Sequence, residues 1–234
     1  EMMQVLEGLF AQRPVSHWRQ RFDEERLSAD IIEKYEYVTT YDQASVNRYI
    51  LDLEHPSYGR FQSLGFPVHM SESPARLGRL APCLGQHSAE VLAEVLGMAE
   101  GDISELEARG VIGSTRKAET QPEAVPAASS SGSGSGSEAR SGNAGGMSDR
   151  KALEGIRVLD LTVWFQGPVC SQYLADFGAE VIHIERPETG DPARGVRSIN
   201  AVPVADWNQY FLVVNRNKKS IAVDLKTDEG RDLI

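Results

Sequence analysis

Four cations, Arg216, Lys218, Lys219 and Lys226, fall within eleven residues of one another. Together with Arg186 they could neutralise a small anion that carries several negative groups. The same residues also read as a solvated basic turn beside a strand, and spacing alone leaves both readings open. Other chemistries find less support. Cys83 and His87 lie four apart, but Pro82 and Gly85 between and beside them argue for a turn, not a ligand helix, so no metal site is expected. His17, His55, His69 and His183 are scattered, and Gln86-His87 reads as a structural turn. Cys170 stands early on a helix, where a dipole could lower a thiol pKa, yet it reads as a small packed residue.

The elements that must position these groups follow a strand–helix–strand order. Ile156 to Leu161 is expected to be a short buried strand, Gly167-Pro168 to start a helix with Val169, Tyr173, Leu174 and Phe177 on its buried face, and Glu180 to Glu185 to be a second strand. A polar stretch from Arg186 to Val204 precedes Trp207 to Val214, a strand over Ser220 to Leu225 and a helix from Asp228. This is the unit of a parallel α/β sheet, whose ligands bind at the carboxyl ends of the strands. Those ends carry Thr162 to Gly167, then Glu185-Arg186, then Lys226. A dinucleotide would need G-x-G-x-x-G in the first of them, and Trp164-Phe165-Gln166-Gly167-Pro168 stands there instead. Arg186 directly after Glu185 favours a phosphate near a ribose, and coenzyme A has such a 3′-phosphate besides its pyrophosphate.

The first segment has another grammar: helices, a hairpin, then helices. Met2 to Gln12 is apolar at helical spacing, Ser16 is a suitable N-cap for a helix with Trp18 and Phe22, and Asp30 to Tyr37 reads as a further short helix. Strands are expected at Tyr49–Leu53 and Gly59–His69, around the turn from His55 to Gly59. Gln86 to Leu96 is the best helix, its stripe of Val91, Leu92, Val95 and Leu96 being core or a cover for a domain elsewhere, and Asp102 is expected to cap a last helix ending at Ala108.

Between the two lies Gln121 to Met147, rich in Ser and Gly, with no aromatic residue. It cannot bury enough apolar surface to offset its ordering entropy, so a flexible tether is expected. It lacks the Lys-Ser/Thr ending of a phosphate-binding loop. Hydrophobic residues are 41 % and charged residues 25 % of the 234, an ordinary globular composition. The net charge of −10 argues against a general nucleic-acid binder, and no apolar run approaches a membrane span. Residues 1–112 carry 18 acidic and 10 basic residues against 12 and 10 in residues 151–234, a small hint that the later part meets the anion. Two distant cysteines fit a reducing, cytoplasmic setting.

At this point a resemblance is specific. LDLTVWFQGPVCSQYLADFGAEVIHIERPETGDPARG followed by NRNKKSIAVDLKTDEGRDL resembles the start of the family III CoA-transferases, a group that includes formyl-CoA transferase and the carnitine and bile-acid CoA-transferases. DLEHPSYGRFQSLGFPVHMSESPARLGRLAPCLGQHSAEVLAEVLG, then ISELEARGVI, resembles the other end of such an enzyme. The resemblance implies an α/β protein. Residues 1–112 would be the α+β carboxyl-terminal part of one unit, 113–150 a Ser/Gly-rich linker, and 151–234 the Rossmann-like amino-terminal part of a second. The chain would be a window across the junction of a tandem fusion, its ends lying inside helices. Two partial cores, neither closed within the chain, are expected.

The implied reaction moves CoA from an acyl-CoA to a carboxylic acid through an Asp-linked acyl intermediate. That Asp would lie beyond Ile234, so no catalytic residue is assigned and the fragment itself would be inactive. CoA would be a substrate, with no permanently bound cofactor or metal. Carried over one residue at a time, CoA contacts fall on Trp164, Phe165 and Gln166 after the first strand, on Arg186 after the second, and on Val223 and Lys226 at the third. Expected partners are acyl-CoA and carboxylic acid substrates, with no nucleic acid and no membrane, in an interlocked dimer or an intramolecular pseudo-dimer of the fused units. An acyl-CoA racemase of the same superfamily and a non-catalytic CoA-binding module are the alternatives.

Overall fold

The computed structural model describes residues 2–29, 31–34, 36–55, 59–113, 151–195 and 208–234. The expected tether, residues 56–58 of the expected turn and much of the polar stretch before Asn208 lie outside them. The chain divides into two compact units, residues 1–47 and 48–234.

In the first unit, α1 (Met2–Phe10) and α2 (Val15–Glu24) are joined at an aromatic corner. The Phe10 ring lies edge-on to Trp18 at 5.2 Å and to Phe22 at 6.0 Å, and the Trp18 indole N–H donates to the Phe10 carbonyl. Ser16 is not the cap: Pro14 takes that position with extended backbone, its fixed φ already suiting the entry to a helix. No helix forms over 31–34, where Ile31 is half-buried and Ile32 is fully exposed, so no apolar face is available to support one. Helix resumes only in α3 (Tyr37–Thr40) and α4 (Asp42–Val46).

The second unit opens with an antiparallel hairpin, β1 (Ile50–His55) and β2 (Gly59–Leu64). Then come α5 (Ser88–Leu96), α6 (Glu100–Ala108) and β3 (Ile112–Gly113). Gly97 ends α5 in the left-handed region, φ +68°, where glycine meets no Cβ penalty. Ala99 precedes α6, and Asp102 sits inside its first turn instead of capping it; acid there still complements the helix dipole. After the undescribed segment follow β4 (Arg157–Asp160), α7 (Gln166–Asp176), β5 (Glu180–Glu185), a 3₁₀ turn at Pro192–Gly195, α8 (Gln209–Leu212), β6 (Lys219–Val223) and α9 (Asp228–Asp232). Thr227 caps α9 by accepting from the Gly230 amide.

These strands form one sheet in the order β3-β6-β5-β4. β4, β5 and β6 are parallel, and β3 adds antiparallel at the far edge. Alternation along β5 separates the two faces. Ile182 and Ile184 point into a core with Ile221 and Val223 of β6 and with Val91, Leu92, Ile103, Leu106, Val111 and Ile112 from before residue 114. Val181, His183 and Glu185 point the other way, where α7 packs. Val91 and Leu92 of the α5 stripe are therefore core, Val95 packs against it partly buried, and Leu96 is exposed; the two partial cores expected from the sequence are one here.

Two further expectations are corrected. α7 does not bury Val169 and Tyr173: its buried residues are Pro168, Ser171, Gln172, Ala175 and Asp176. It turns a polar face to the sheet because His183 and Asp160 there need partners. Cys170 is consequently exposed, not packed. β4 is not a buried strand either, since Leu159, in register with Ile182 on the α5/α6 face, is 45 % exposed at the sheet edge.

Candidate functional site

A buried polar cluster joins the carboxyl end of β4, the middle and carboxyl end of β5 and the amino end of β6. Asp160 ends β4, and its Oδ2 accepts from Ser171 Oγ at 2.6 Å, Lys218 Nζ at 3.0 Å and, through a 3.1 Å contact, His183 Nδ1. Lys218 also donates to the Pro168 carbonyl and to Asn215 Oδ1. His183 Nε2 lies 3.5 Å from Asp191 Oδ2, so the ring has a carboxylate at each nitrogen. Burial alone would raise the Asp160 carboxyl. The His183 bond, the Lys218 charge and the Ser171 bond outweigh that and hold it below the ordinary carboxylate range. For His183 burial pulls the pKa down, and the bond to Asp160, the Asp191 carboxylate beside Nε2 and the charge of Glu185 carry it above its ordinary value.

Asp191 extends the cluster to the loops. One oxygen, Oδ1, accepts from the amides of Ala193 at 2.8 Å and Trp164 at 3.2 Å. Trp164 needs that hold, because its φ of +73° is unusual for a non-glycine residue. Glu185 Oε2 accepts from the Asp191 amide, and Arg194 grips Glu185 with two 2.7 Å bonds while its guanidinium lies 3.6 Å from the Phe211 ring centroid. Gly190 is required at the bend, since a Cβ would stand 2.9 Å from Glu185 Oε2 at φ +66°.

The candidate ligand residues take different places on this frame. Trp164 is 48 % exposed, Gln166 is exposed, and Phe165 is half-buried against Tyr210 at 5.2 Å. Arg186 and Lys226 are exposed just past β5 and β6, and neither makes an ion pair among the described residues. The Val223 side chain is enclosed in the core. The four-cation group does not act together. Arg216 is buried on Asp176, Lys218 on Asp160, and Lys219 bridges Glu90 and Glu180. It is not a solvated turn either, because three of its members lie inside the fold. Spacing missed this cluster, yet the alternation of His183 and Glu185 within EVIHIE marks a polar strand face. No group of His, Cys, Asp and Glu suited to a metal occurs among the described residues, and none of their helices is long and apolar enough to cross a membrane.

His87 couples the α5 entrance to β6. Its Nδ1 accepts from the Ser220 amide at 3.1 Å, which requires an unprotonated nitrogen. Burial, then the nearby Arg79 charge, lower its pKa to about 4. A folded pKa below the unfolded one means stability is complete above the unfolded value, about 6.5, and is lost as pH falls toward 4. The loss at pH 4 is expected to be about 3 kcal/mol. His183 has the opposite sign, so the test is a comparison. Urea midpoints of wild type and His87→Asn should diverge between pH 7 and pH 5, with the variant the flatter. Parallel profiles would refute the assignment.

A sequence profile of CoA-transferase family III matches residues 1–88 and 153–234. Similar proteins include formyl-CoA:oxalate CoA-transferases from Afipia carboxidovorans, 49 % identical over 84 residues, and from Rhodopseudomonas palustris strain HaA2, 46 % identical over 84 residues. Each match covers 36 % of this chain and 19 % of the relative, so the chain spans about a fifth of the length of those relatives. A crystal structure of a CAIB/BAIF family protein from Brucella suis is 38 % identical, covering 35 % of this chain and 22 % of that one, with a TM-score of 0.32. With the matched stretches taking in most of its length, the chain belongs to CoA-transferase family III.

Proposed function

We propose that residues 151–234 supply coenzyme A contacts to an enzyme that moves CoA between an acyl-CoA and a carboxylic acid. One observation carries this reading. Arg186 and Lys226 are exposed, without ion pairs among the described residues, and stand past the carboxyl ends of neighbouring parallel strands, while Arg216, Lys218 and Lys219 are committed to internal pairs. Open parallel sheets take ligands at that edge. Trp164, Phe165 and Gln166 extend the surface after β4, whereas the enclosed side chain of Val223 shapes the core behind it.

In the transfer, an Asp carboxylate attacks the thioester carbonyl, the C–S bond breaks, and CoA departs as thiolate, leaving a mixed anhydride. The thiolate then attacks the enzyme-side carbonyl of that anhydride, the donor acid leaves as its carboxylate, and CoA is held as an enzyme thioester. The acceptor carboxylate attacks this thioester, expelling CoA thiolate, whose attack on the acceptor carbonyl gives the new acyl-CoA and restores the Asp carboxylate. Asp160, Asp176 and Asp191 are not that nucleophile, because each is held by buried partners. The nucleophile belongs to a part of the unit outside residues 1–234, so this chain alone transfers no CoA. Residues 1–112 and 151–234 are read as the end of one unit and the start of the next, joined by 113–150, in a cytoplasmic dimer or pseudo-dimer.

Calorimetric titration of the chain with CoA tests the site. Arg186→Ala and Lys226→Ala should each weaken binding about 10-fold or more, the value of one charge-assisted hydrogen bond. The loss should shrink as salt rises. Unchanged affinity in both variants would reject the assignment.

A further inference from the structure

Residues 48–113 and 151–234 meet over a surface built like the inside of a domain. Val91, Leu92, Ile103 and Leu106 of α5 and α6 close on Ile182, Ile184, Ile221 and Val223 of the sheet. Around that core the polar groups are satisfied across the boundary. The amides of Ser220 and Ala222 donate to His87 Nδ1 at 3.1 Å and Ser88 Oγ at 3.1 Å, and the amides of Gly85 and His87 donate to Ser220 Oγ and the Ser220 carbonyl, both at 2.9 Å. Arg194 donates to the Pro82 carbonyl, and Asn217 Oδ1 accepts from the amides of Gly78 and Arg79. Strand β3 adds backbone pairing to β6. Even Gly85 is fitted to the boundary, since a Cβ there would stand 2.5 Å from the Gly113 carbonyl and 3.1 Å from Ala222 Cβ.

Each side would, alone, expose an apolar face together with the buried donors and acceptors just named, so each is the other's complement in shape, apolarity and hydrogen bonding. We propose that this boundary is a recognition interface in its own right: residues 48–113 bind residues 151–234 as a partner, and a second copy of this chain can supply that partner. In a protein carrying two such units, the segment that closes a given sheet is then chosen by proximity and not by covalent order. The inference is independent of the coenzyme A reading, because none of the interface contacts uses Arg186 or Lys226.

The test begins with the whole chain, carrying a protease recognition sequence inserted between Gly134 and Ser135. After cleavage of the folded protein, the two pieces are expected to elute together at micromolar concentration with an unchanged far-ultraviolet circular dichroism spectrum. Cleaved light and heavy-isotope preparations are then mixed in urea and refolded by dilution, with uncut chain refolded alongside as the folding control. Native mass spectrometry should find mixed light–heavy pairs. Leu92→Ala in the cleaved protein should weaken the pairing at least 10-fold, since Leu92 is 1 % exposed at the centre of the contact. Pieces that separate on elution, or refolded samples without mixed pairs while the uncut control recovers, would overturn the proposal.

Discussion

Asp160→Ala is expected to lower the unfolding free energy by about 3–5 kcal/mol, the cost of leaving buried charge without its partner. The carboxylate accepts from Ser171, His183 and Lys218 at one oxygen and from the Thr162 amide and hydroxyl at the other. Lys218 and His183 are both inaccessible to water, so without Asp160 neither can recruit solvent. Lys218 would keep only two neutral acceptors, the Pro168 carbonyl and Asn215 Oδ1. Asp160→Asn preserves volume and part of the hydrogen bonding, and should fall between wild type and alanine. Urea unfolding at pH 7 measures both. The ionised-Asp160 contribution is complete above the unfolded carboxylate pKa, about 3.9, and is lost only as pH falls through the depressed folded value. The cost of Asp160→Ala should therefore not shrink between pH 7 and pH 5. A loss below about 1 kcal/mol would show that this cluster does not hold a desolvated charge.

Arg216→Ala should cost a similar amount, about 3–5 kcal/mol, and for a related reason. The Arg216 guanidinium donates to both oxygens of Asp176, at 2.8 Å in the shortest contact, and is 3 % exposed. It also donates to the carbonyls of Leu64 and Gly65 and lies 4.7 Å from the Phe66 ring centroid. One side chain thus ties the hairpin end to α7. Arg216→Lys should not rescue, because an ammonium cannot replace a planar fork with donors on two sides. Hydrogen exchange separates this effect from that of Asp160: amides of residues 59–65 should lose protection in Arg216→Ala while those of β5 keep it. Equal loss in both places would mean that the hairpin is not anchored through Arg216. Asp176→Ala combined with Arg216→Ala should cost much less than the two single changes added together, since each single change strands the same partner.

Much of the later sequence was legible because its patterns are local. EVIHIE is a strand from Glu180 to Glu185 as read, and Gly97 ends α5 as read. Asp228 begins α9, although Thr227 supplies the cap. The hairpin strands were found in place, the second ending at Leu64 and not at His69. The misreadings came where a side chain's role depends on residues far away in sequence. Tyr173 looks like core at helical spacing, but the face of α7 that meets the sheet is set by Asp160, 11 residues before Ser171, and by Arg216, 40 residues after Asp176. The basic turn looked free because Asp176, Asp160 and Glu90, which neutralise it, come from three other elements.

The sequence by itself determined the parallel strand–helix–strand order and the family motifs, since propensity, alternation and motif spacing are properties of neighbouring residues. Only the tertiary structure decided which cations are committed to internal ion pairs. It also decided that Val91 and Leu92 share a core with Ile182 and Ile221 from beyond residue 150. Burial and charge pairing are sums over whatever the fold brings together, and spacing along the chain does not contain them.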